Sequence, residues 1–305
     1  MKRILITGVT GFVGNNVLFY LLEKTDWEFT VLCSWKHKGS PALLKPNPRV
    51  EVITHDITQP IPEIGNFDYI LNFASESHVD RSIADPVNFI ENNVSSVLQM
   101  LEYARQHQPE KFIHFSTDEV YGPYEHKEWD VLMPTNPYSA SKAAQEMICI
   151  AYWNTYKLPI VITNSNNIIG PNQNKEKYVP KIIEMIKTNQ EITIHHRNNE
   201  FPRRFYNPVD NIADALLFIL NQPYPTNLTK PVRYAISGGE ELNTLEIAQL
   251  IAKLIGKPLK YKLVDVDTVR PGNDQFYPAT EGLLTEIGWK PVVTLEEGLK
   301  KIIDL

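Results

Sequence analysis

Cysteine is nearly absent from this 305-residue sequence: only Cys33 and Cys149 occur, far apart and in no paired spacing. Two such residues build no disulfide scaffold and no metal framework, and they fit a reducing compartment. Basic runs are missing as well. With 30 Lys+Arg against 36 Asp+Glu and a net charge of -6, the chain offers no electrostatic footprint to a polyanion, so no nucleic-acid partner is expected. No apolar run reaches the roughly 18 residues of a membrane span, and the stretch after Met1-Lys2-Arg3 is only Ile4-Leu5-Ile6, too short for a signal segment. The expectation is a cytoplasmic protein with no membrane partner. Internal repeats, low-complexity tracts and long linkers are also lacking.

What is present is an ordinary globular composition, 43% hydrophobic and 22% charged, long enough for one large α/β domain or two lobes. Through the first half, short β-rich runs (ILIT, FTVLC, VEVITHD, FDYILNFA, KFIHFST, then LPIVITN) alternate with helix-length amphipathic segments near 13–23, 87–106 and 138–156. Strand followed by crossover is the pattern of a doubly wound parallel sheet with helices on both faces. After Pro171 the texture shifts to more Asn and Pro with isolated helices, near 179–187 and 244–255. That shift predicts a first domain over 1–163 and a smaller C-terminal lobe over 164–305, with 207–222 packing back on the first.

The first strand runs into Gly8-Val9-Thr10-Gly11-Phe12-Val13-Gly14, and a helix follows at once. Glycines there permit a tight turn, close approach of backbone to a pyrophosphate and helix-strand packing, while the helix N-terminus favours negative charge. The segment therefore predicts a Rossmann-type dinucleotide site, with Asp56-Ile57 and Phe73-Ala74-Ser75 lining the groove at later strand ends. An acidic residue about 20 positions on normally accepts from the ribose of NAD. Here the second strand ends in Cys33-Ser34-Trp35-Lys36-His37-Lys38, and the two lysines tilt the expectation from NAD to NADP.

Tyr138 and Lys142 stand four residues apart on one predicted helical face. An ammonium beside a phenol is expected to lower the phenol's pKa, as a base working near neutral pH requires. Ser116-Thr117 close a strand about 20 residues earlier, completing a set: a hydroxyl to position a substrate oxygen, Tyr138 to take its proton, and Lys142 to tune the phenol and hold the nicotinamide ribose. No cluster has metal-ligand spacing, and His195-His196 read as surface residues.

On these residues the chain resembles the extended short-chain dehydrogenase/reductases that act on nucleotide sugars, above all the dTDP-glucose 4,6-dehydratase group. The matching segments are ITGVTGFVG, NFASESHVDRSI, FIHFSTDEVYG, NPYSASKA, NNIIGPNQNKEKYVP, RRFYNPVDNIADA and RPGNDQFYPAT, in the family's order over nearly the whole chain. Asp118 and Glu119 look like the dehydratase acid pair, which sugar epimerases of this fold generally lack. The resemblance implies that Tyr138 takes the 4-hydroxyl proton as hydride leaves carbon 4. Glu119 then removes the carbon 5 proton while Asp118 protonates the 6-hydroxyl, and the product is a 4-keto-6-deoxy sugar. It further implies substrate contacts from Ser77 and His78, with Asp80 and Arg81 in the same block, and from Asn167, Lys177, Tyr178, Arg204 and Arg270. A tightly held cofactor regenerated in each turnover and a homodimer through the helices near 87–106 and 138–156 are implied as well.

Three departures bear on the substrate, one of them a loop between Tyr121 and Tyr138 that is shorter than in typical members of the family. Asn167-Ile168-Ile169-Gly170-Pro171 stands where the family has Asn-x-Tyr-Gly-Pro, and Asn273-Asp274-Gln275-Phe276 where it has His-Asp-x-Arg. The nucleobase, dTDP or UDP, and the hexose therefore stay open. The alternatives are a 4-epimerase or reductase of the same fold and, in another class, a non-catalytic NADP-binding sensor or scaffold.

Overall fold

A computed structural model describes residues 1–35, 44–198, 200–237, 239–265, 276 and 282–305. Its first strand, β1 (Arg3–Thr7), turns through the glycines into helix α1 (Phe12–Lys24). There follow β2 (Glu28–Cys33), β3 (Val50–Thr54), β4 (Tyr69–Asn72), α2 (Val79–Ala84), α3 (Pro86–His107) and β5 (Lys111–Thr117). A single 3-10 turn (Asp118–Tyr121) leads towards α4 (Pro137–Tyr156) and β6 (Ile160–Ser165). The strands pair in parallel in the order β3-β2-β1-β4-β5-β6, with the order reversing between β1 and β4. In such sheets a crevice opens beyond the carboxyl ends of the strands at the reversal.

Local chemistry sets the helix that carries Tyr138. Asn136 accepts from Ser139 N, the Ser139 hydroxyl reciprocates at the Asn136 backbone, and Pro137 opens the first turn, so α4 begins at a fixed residue. Its buried face and that of α3 cover one side of the sheet with Val97, Met100, Leu101 and Cys149. Helix α1 covers the other side with Val17, Leu18 and Leu21.

The chain after β6 continues as β7 (Asn167–Ile169), α5 (Tyr178–Lys187), β8 (Ile192–His196), β9 (Arg203–Pro208) and α6 (Val209–Asn221). Next come β10 (Val232–Ile236), β11 (Glu240–Asn243), α7 (Thr244–Ile255), β12 (Tyr261–Asp265), α8 (Leu283–Glu286) and α9 (Leu295–Ile303). A separate core gathers Ile182, Ile186, Ile194, Ile247, Ile251 and Leu299. Small sheets β11-β9-β7 and β12-β8 frame it. Two parts of this segment join the large sheet instead: α6 shares the core of α1 through Ile212, Leu216 and Ile219, and β10 pairs in parallel with β6 as a seventh strand. Among the described residues no helix is long and apolar enough to cross a membrane, and no group of side chains is arranged to hold a metal ion.

Candidate active site

Beyond the carboxyl ends of β1, β2, β4, β5 and β6 lies a cleft of about 1120 Å³, closed on its far side by β7, β9 and the start of α5. Of the described residues that the sequence nominates, all but Asp80 line it. Lys36, Lys38 and Arg270 lie outside the described residues.

At one end the glycines form a cradle. Gly8 has φ +74°, and a Cβ there would meet Ala74 N at 2.7 Å; one on Gly14 would meet Gly8 O at 2.6 Å. Only glycine permits both the turn and the contact. Gly11 caps α1 without any side-chain bond, which leaves the first-turn N–H groups to whatever occupies the cleft, an arrangement suited to a phosphate. Thr10, Phe12 and Val13 continue the wall. The residues present therefore fit a dinucleotide. Ser34, Asp56 and Ile57 extend the cradle at the ends of β2 and β3, where Asp56 accepts from Thr58 N at 3.1 Å and Thr58 Oγ1 at 2.8 Å. Trp35 joins this wall, its indole N–H donating to Thr54 Oγ1 at 3.0 Å. Phe73, Ala74 and Ser75 follow β4, with Ala74 N donating to Thr7 Oγ1 at 3.1 Å.

The end of β5 delivers the reacting groups. Thr117 caps the 3-10 turn by accepting from Glu119 N, and its hydroxyl donates to Asp118 Oδ1 at 3.2 Å. Asp118 Oδ2 accepts from Asn166 Nδ2 at 3.2 Å. Only 8% of Asp118 is exposed. Burial, reinforced by the Glu119 charge and opposed by these two bonds, pushes its carboxyl up to about 7, so near neutral pH Asp118 holds a proton half of the time. Tyr138 opens α4, its backbone N–H held by Ser82 Oγ at 3.1 Å. Lys142 follows one turn later and donates to Phe115 O at 2.8 Å and Gln145 Oε1 at 2.7 Å.

Here the expectation about the phenol is corrected. Burial drives the Tyr138 pKa up, the Glu119 and Asp118 charges add to the rise, and the Thr117 hydroxyl is what opposes it. The Lys142 ammonium is turned to Phe115 and Gln145, and burial lowers its own pKa to about 8 against the raising effect of Glu146. Four-residue spacing places two side chains on one face; it does not point them at each other.

The remaining nominated residues close the cleft. Ser77 and His78 precede α2, and His78 Nε2 and Arg81 Nη2 both lie 3.3 Å from Glu176 Oε2, so one carboxylate braces α2 against the approach to α5. Asp80 is not among the lining residues. Asn167 opens β7 beside Tyr206 of β9 and is exposed to the cleft. Lys177 caps α5, and burial pulls its pKa down while the Glu119 charge acts the other way. Tyr178 commits its hydroxyl to Thr244 O at 2.6 Å, so it offers the cleft its ring. Arg204 of β9 faces the same space.

Three participants escaped the sequence reading. Asn166, the residue that holds Asp118, lies in the polar run Asn164-Ser165-Asn166-Asn167 and opens the matching segment NNIIGPNQNKEKYVP, but nothing there assigned it a role. Glu176 lies in the matching segment beside Lys177 and Tyr178, but no role was read for it. His195, expected at the surface, is half-buried in β8 and lines the cleft, because alternation along that strand puts it on the face opposite buried Ile192 and Ile194.

Comparison with known proteins agrees with this geometry. A dTDP-D-glucose 4,6-dehydratase of Mus musculus is 33% identical over 99% of this chain and 88% of its own length. A trifunctional UDP-glucose 4,6-dehydratase, 3,5-epimerase and reductase of Arabidopsis thaliana is 33% identical over 99% of this chain, which spans only 47% of that longer protein. The crystal structure of a dTDP-glucose 4,6-dehydratase from Streptomyces venezuelae with NAD bound superposes with a TM-score of 0.88 at 29% identity, covering 99% of this chain and 96% of the other. Residues 5–302 match the family described as GDP-mannose 4,6 dehydratase, and the chain belongs to that family of nucleotide-sugar dehydratases.

Proposed function

We propose that this protein converts a hexose carried on a nucleoside diphosphate into its 4-keto-6-deoxy form by internal oxidation, loss of water and reduction. The observation that carries the reading is Asp118, a buried carboxyl raised to about 7, standing next to Glu119 in the wall that also holds Tyr138 and Lys142. Elimination of water needs an acid and a base at adjacent positions. A nicotinamide cofactor held in the cleft would supply the redox chemistry, a place for the hydride from carbon 4 until it goes back at carbon 6. Tyr138 accepts the 4-hydroxyl proton as a phenolate, a form that the positive charge of an oxidised nicotinamide beside it would favour against burial. Thr117 orients the 4-hydroxyl oxygen, and Lys142 holds the ribose. Once carbon 4 is a ketone, Glu119 takes the acidified proton from carbon 5 and Asp118 protonates the departing 6-hydroxyl. Glu119 then gives its proton back to carbon 5. Each turnover leaves Tyr138 one proton richer and Asp118 one poorer, and the Thr117 hydroxyl that donates to Asp118 Oδ1 lies on the route that restores both.

We assign Ser77, His78, Asn167, Lys177, Tyr178, Arg204 and Arg270 to the nucleotide sugar, with 1–163 as the cofactor lobe, joined by 207–222 and β10, and the rest of 164–305 as the substrate lobe. For the cofactor, the absence of a carboxylate after β2, with Lys36 and Lys38 following, favours NADP over NAD. Competitive titration decides it, and tighter NAD binding, as the relative solved with NAD bound would suggest, overturns it. The exposed apolar residues Val87 and Leu98 on α3 and Met147 on α4 suit a homodimer through these helices, tested by sedimentation.

The direct experiment offers dTDP- and UDP-hexoses in turn and follows product mass. Loss of one water is expected; an unchanged mass with inverted carbon 4 would make the protein an epimerase. Asp118→Asn with Glu119→Gln should halt the reaction with reduced nicotinamide retained. A sensor would bind nucleotide and form no product.

A further inference from the structure

Tyr138, Lys142 and Glu146 recur every fourth residue along α4, so they share one helix face, and all three are buried. The first two serve the redox half of the reaction proposed above. Glu146 points elsewhere: its Oε2 meets Arg233 Nη2 of β10 at 2.6 Å, with 0% and 1% of the two side chains exposed. Its Oε1 accepts from Asn164 Nδ2 at 2.7 Å, and the same Nδ2 donates to Thr117 O at 2.9 Å. Arg233 Nη1 donates to Tyr121 OH at 2.8 Å and to Glu128 O at 2.7 Å, and Tyr121 OH donates to Glu128 O at 2.6 Å. Thr117 and Tyr121 are the two ends of the short turn that bears Asp118 and Glu119. One buried ion pair thus grips that turn fore and aft, through a side-chain amide at one end and a phenol at the other.

A buried ion pair is an expensive way to fill a core, because desolvation of both charges offsets their attraction, and apolar residues of like volume often do as well or better. Its value must lie in what it holds. Four directed bonds from a planar guanidinium and a carboxylate fix positions that apolar packing leaves free to slide. We infer that Glu146 and Arg233 are positioning residues for the elimination step, holding Asp118 and Glu119 at the sugar through Asn164 and Tyr121. The inference rests on the dehydratase reading and adds a division of labour to it: α4 supports hydride transfer with its first two turns and elimination with its third.

Two variants loosen the grip while keeping the core filled. Arg233→Lys retains a cation opposite Glu146 but cannot reach Glu146, Tyr121 and Glu128 together, and Tyr121→Phe removes a single hydroxyl. Product formation should fall about a hundredfold in Arg233→Lys, the scale of a roughly ångström misplacement, and about tenfold in Tyr121→Phe. The deciding readout is rapid-mixing absorbance of reduced nicotinamide, with cofactor affinity measured alongside. If the pair positions the acid and base, the reduced form appears at the wild-type rate and then accumulates, because only its consumption is slowed. The double variant should be no slower than Arg233→Lys alone, since both cut the same link. Product loss without accumulation, or wild-type turnover in both variants, overturns the inference. If the wild-type protein itself yields no dehydrated sugar, the dehydratase reading fails instead.

Discussion

Asp118→Asn should destroy the reaction and stabilise the fold, and the gain should depend on pH in a way that only a buried carboxyl explains. In the native chain burial, with the Glu119 charge beside it, raises the Asp118 pKa from the ordinary 3.8 to about 7. The unfolded chain keeps the ordinary value. Below 3.8 both states hold the proton, and nothing is lost. Between 3.8 and 7 the unfolded state alone can ionise, so native stability declines as pH rises, and above 7 the penalty is complete. About three pH units at 1.36 kcal/mol each gives on the order of 4 kcal/mol as an upper bound. Asparagine does not ionise, so it escapes the penalty. Its carbonyl still accepts from Thr117, and Asn166 can turn its own Oδ1, which has no partner among the described residues, towards the new amide. Denaturant unfolding at pH 4.5, 6 and 8 reads the difference as a change in midpoint at constant slope. The variant should match wild type within about 1 kcal/mol at the lowest pH and exceed it by about 2 to 4 kcal/mol at pH 8. A gap of the same size at all three pH values, or a wild type more stable at pH 8, would refute the reasoning.

The same titration predicts that wild-type elimination, isolated as the decay of reduced nicotinamide, falls above about pH 7 as Asp118 loses its proton; a flat profile to pH 9 assigns the acid elsewhere. Lys142, lowered to about 8 by burial, should impose a second decline on the preceding hydride step above pH 8, visible in its stopped-flow rate and abolished in Lys142→Met. Gly8→Ala places a side chain at positive φ and 2.7 Å from backbone, so it should cost about 2 kcal/mol or more of stability and weaken nucleotide binding by calorimetry. Glu176→Ala removes only an exposed ion pair to Arg81 and a contact with His78, so unfolding should move by less than about 1 kcal/mol while KM for the sugar nucleotide rises severalfold.

Much of this was legible in the sequence, for reasons that can be named. The parallel strands announce themselves because they are buried on both faces and read as apolar runs, and α4 and α7 announce their starts through Asn136-Pro137 and Asn243 with Glu246. The candidate reacting residues are legible because they sit close together along the chain, in 116–119 and 138–142. Helix α2 escaped notice because its six residues, Val79–Ala84, carry no apolar stripe. The sheet's seventh strand left no local trace, since nothing in the sequence of β10 says that it will lie beside β6. Asn166 and Glu146 gain their roles only from tertiary neighbours. The Tyr138 phenol was misjudged for the same reason: spacing reveals which side chains share a face, whereas a pKa depends on how much water the fold removes.

Placing Arg233 on β10 has a consequence for the order in which the molecule becomes competent. It stands 87 residues beyond its partner Glu146, and their pairing closes a long loop, a slow event compared with local β-α contacts. The phosphate cradle, by contrast, is made from strands and a helix among the earliest residues of the described chain. During synthesis the cofactor platform can therefore form while the acid and base remain unanchored. A nick or arrested folding between Asn221 and Val232 should leave a species that captures nucleotide yet leaves the sugar intact, so catalytic turnover, unlike cofactor binding, reports that the whole sheet has closed.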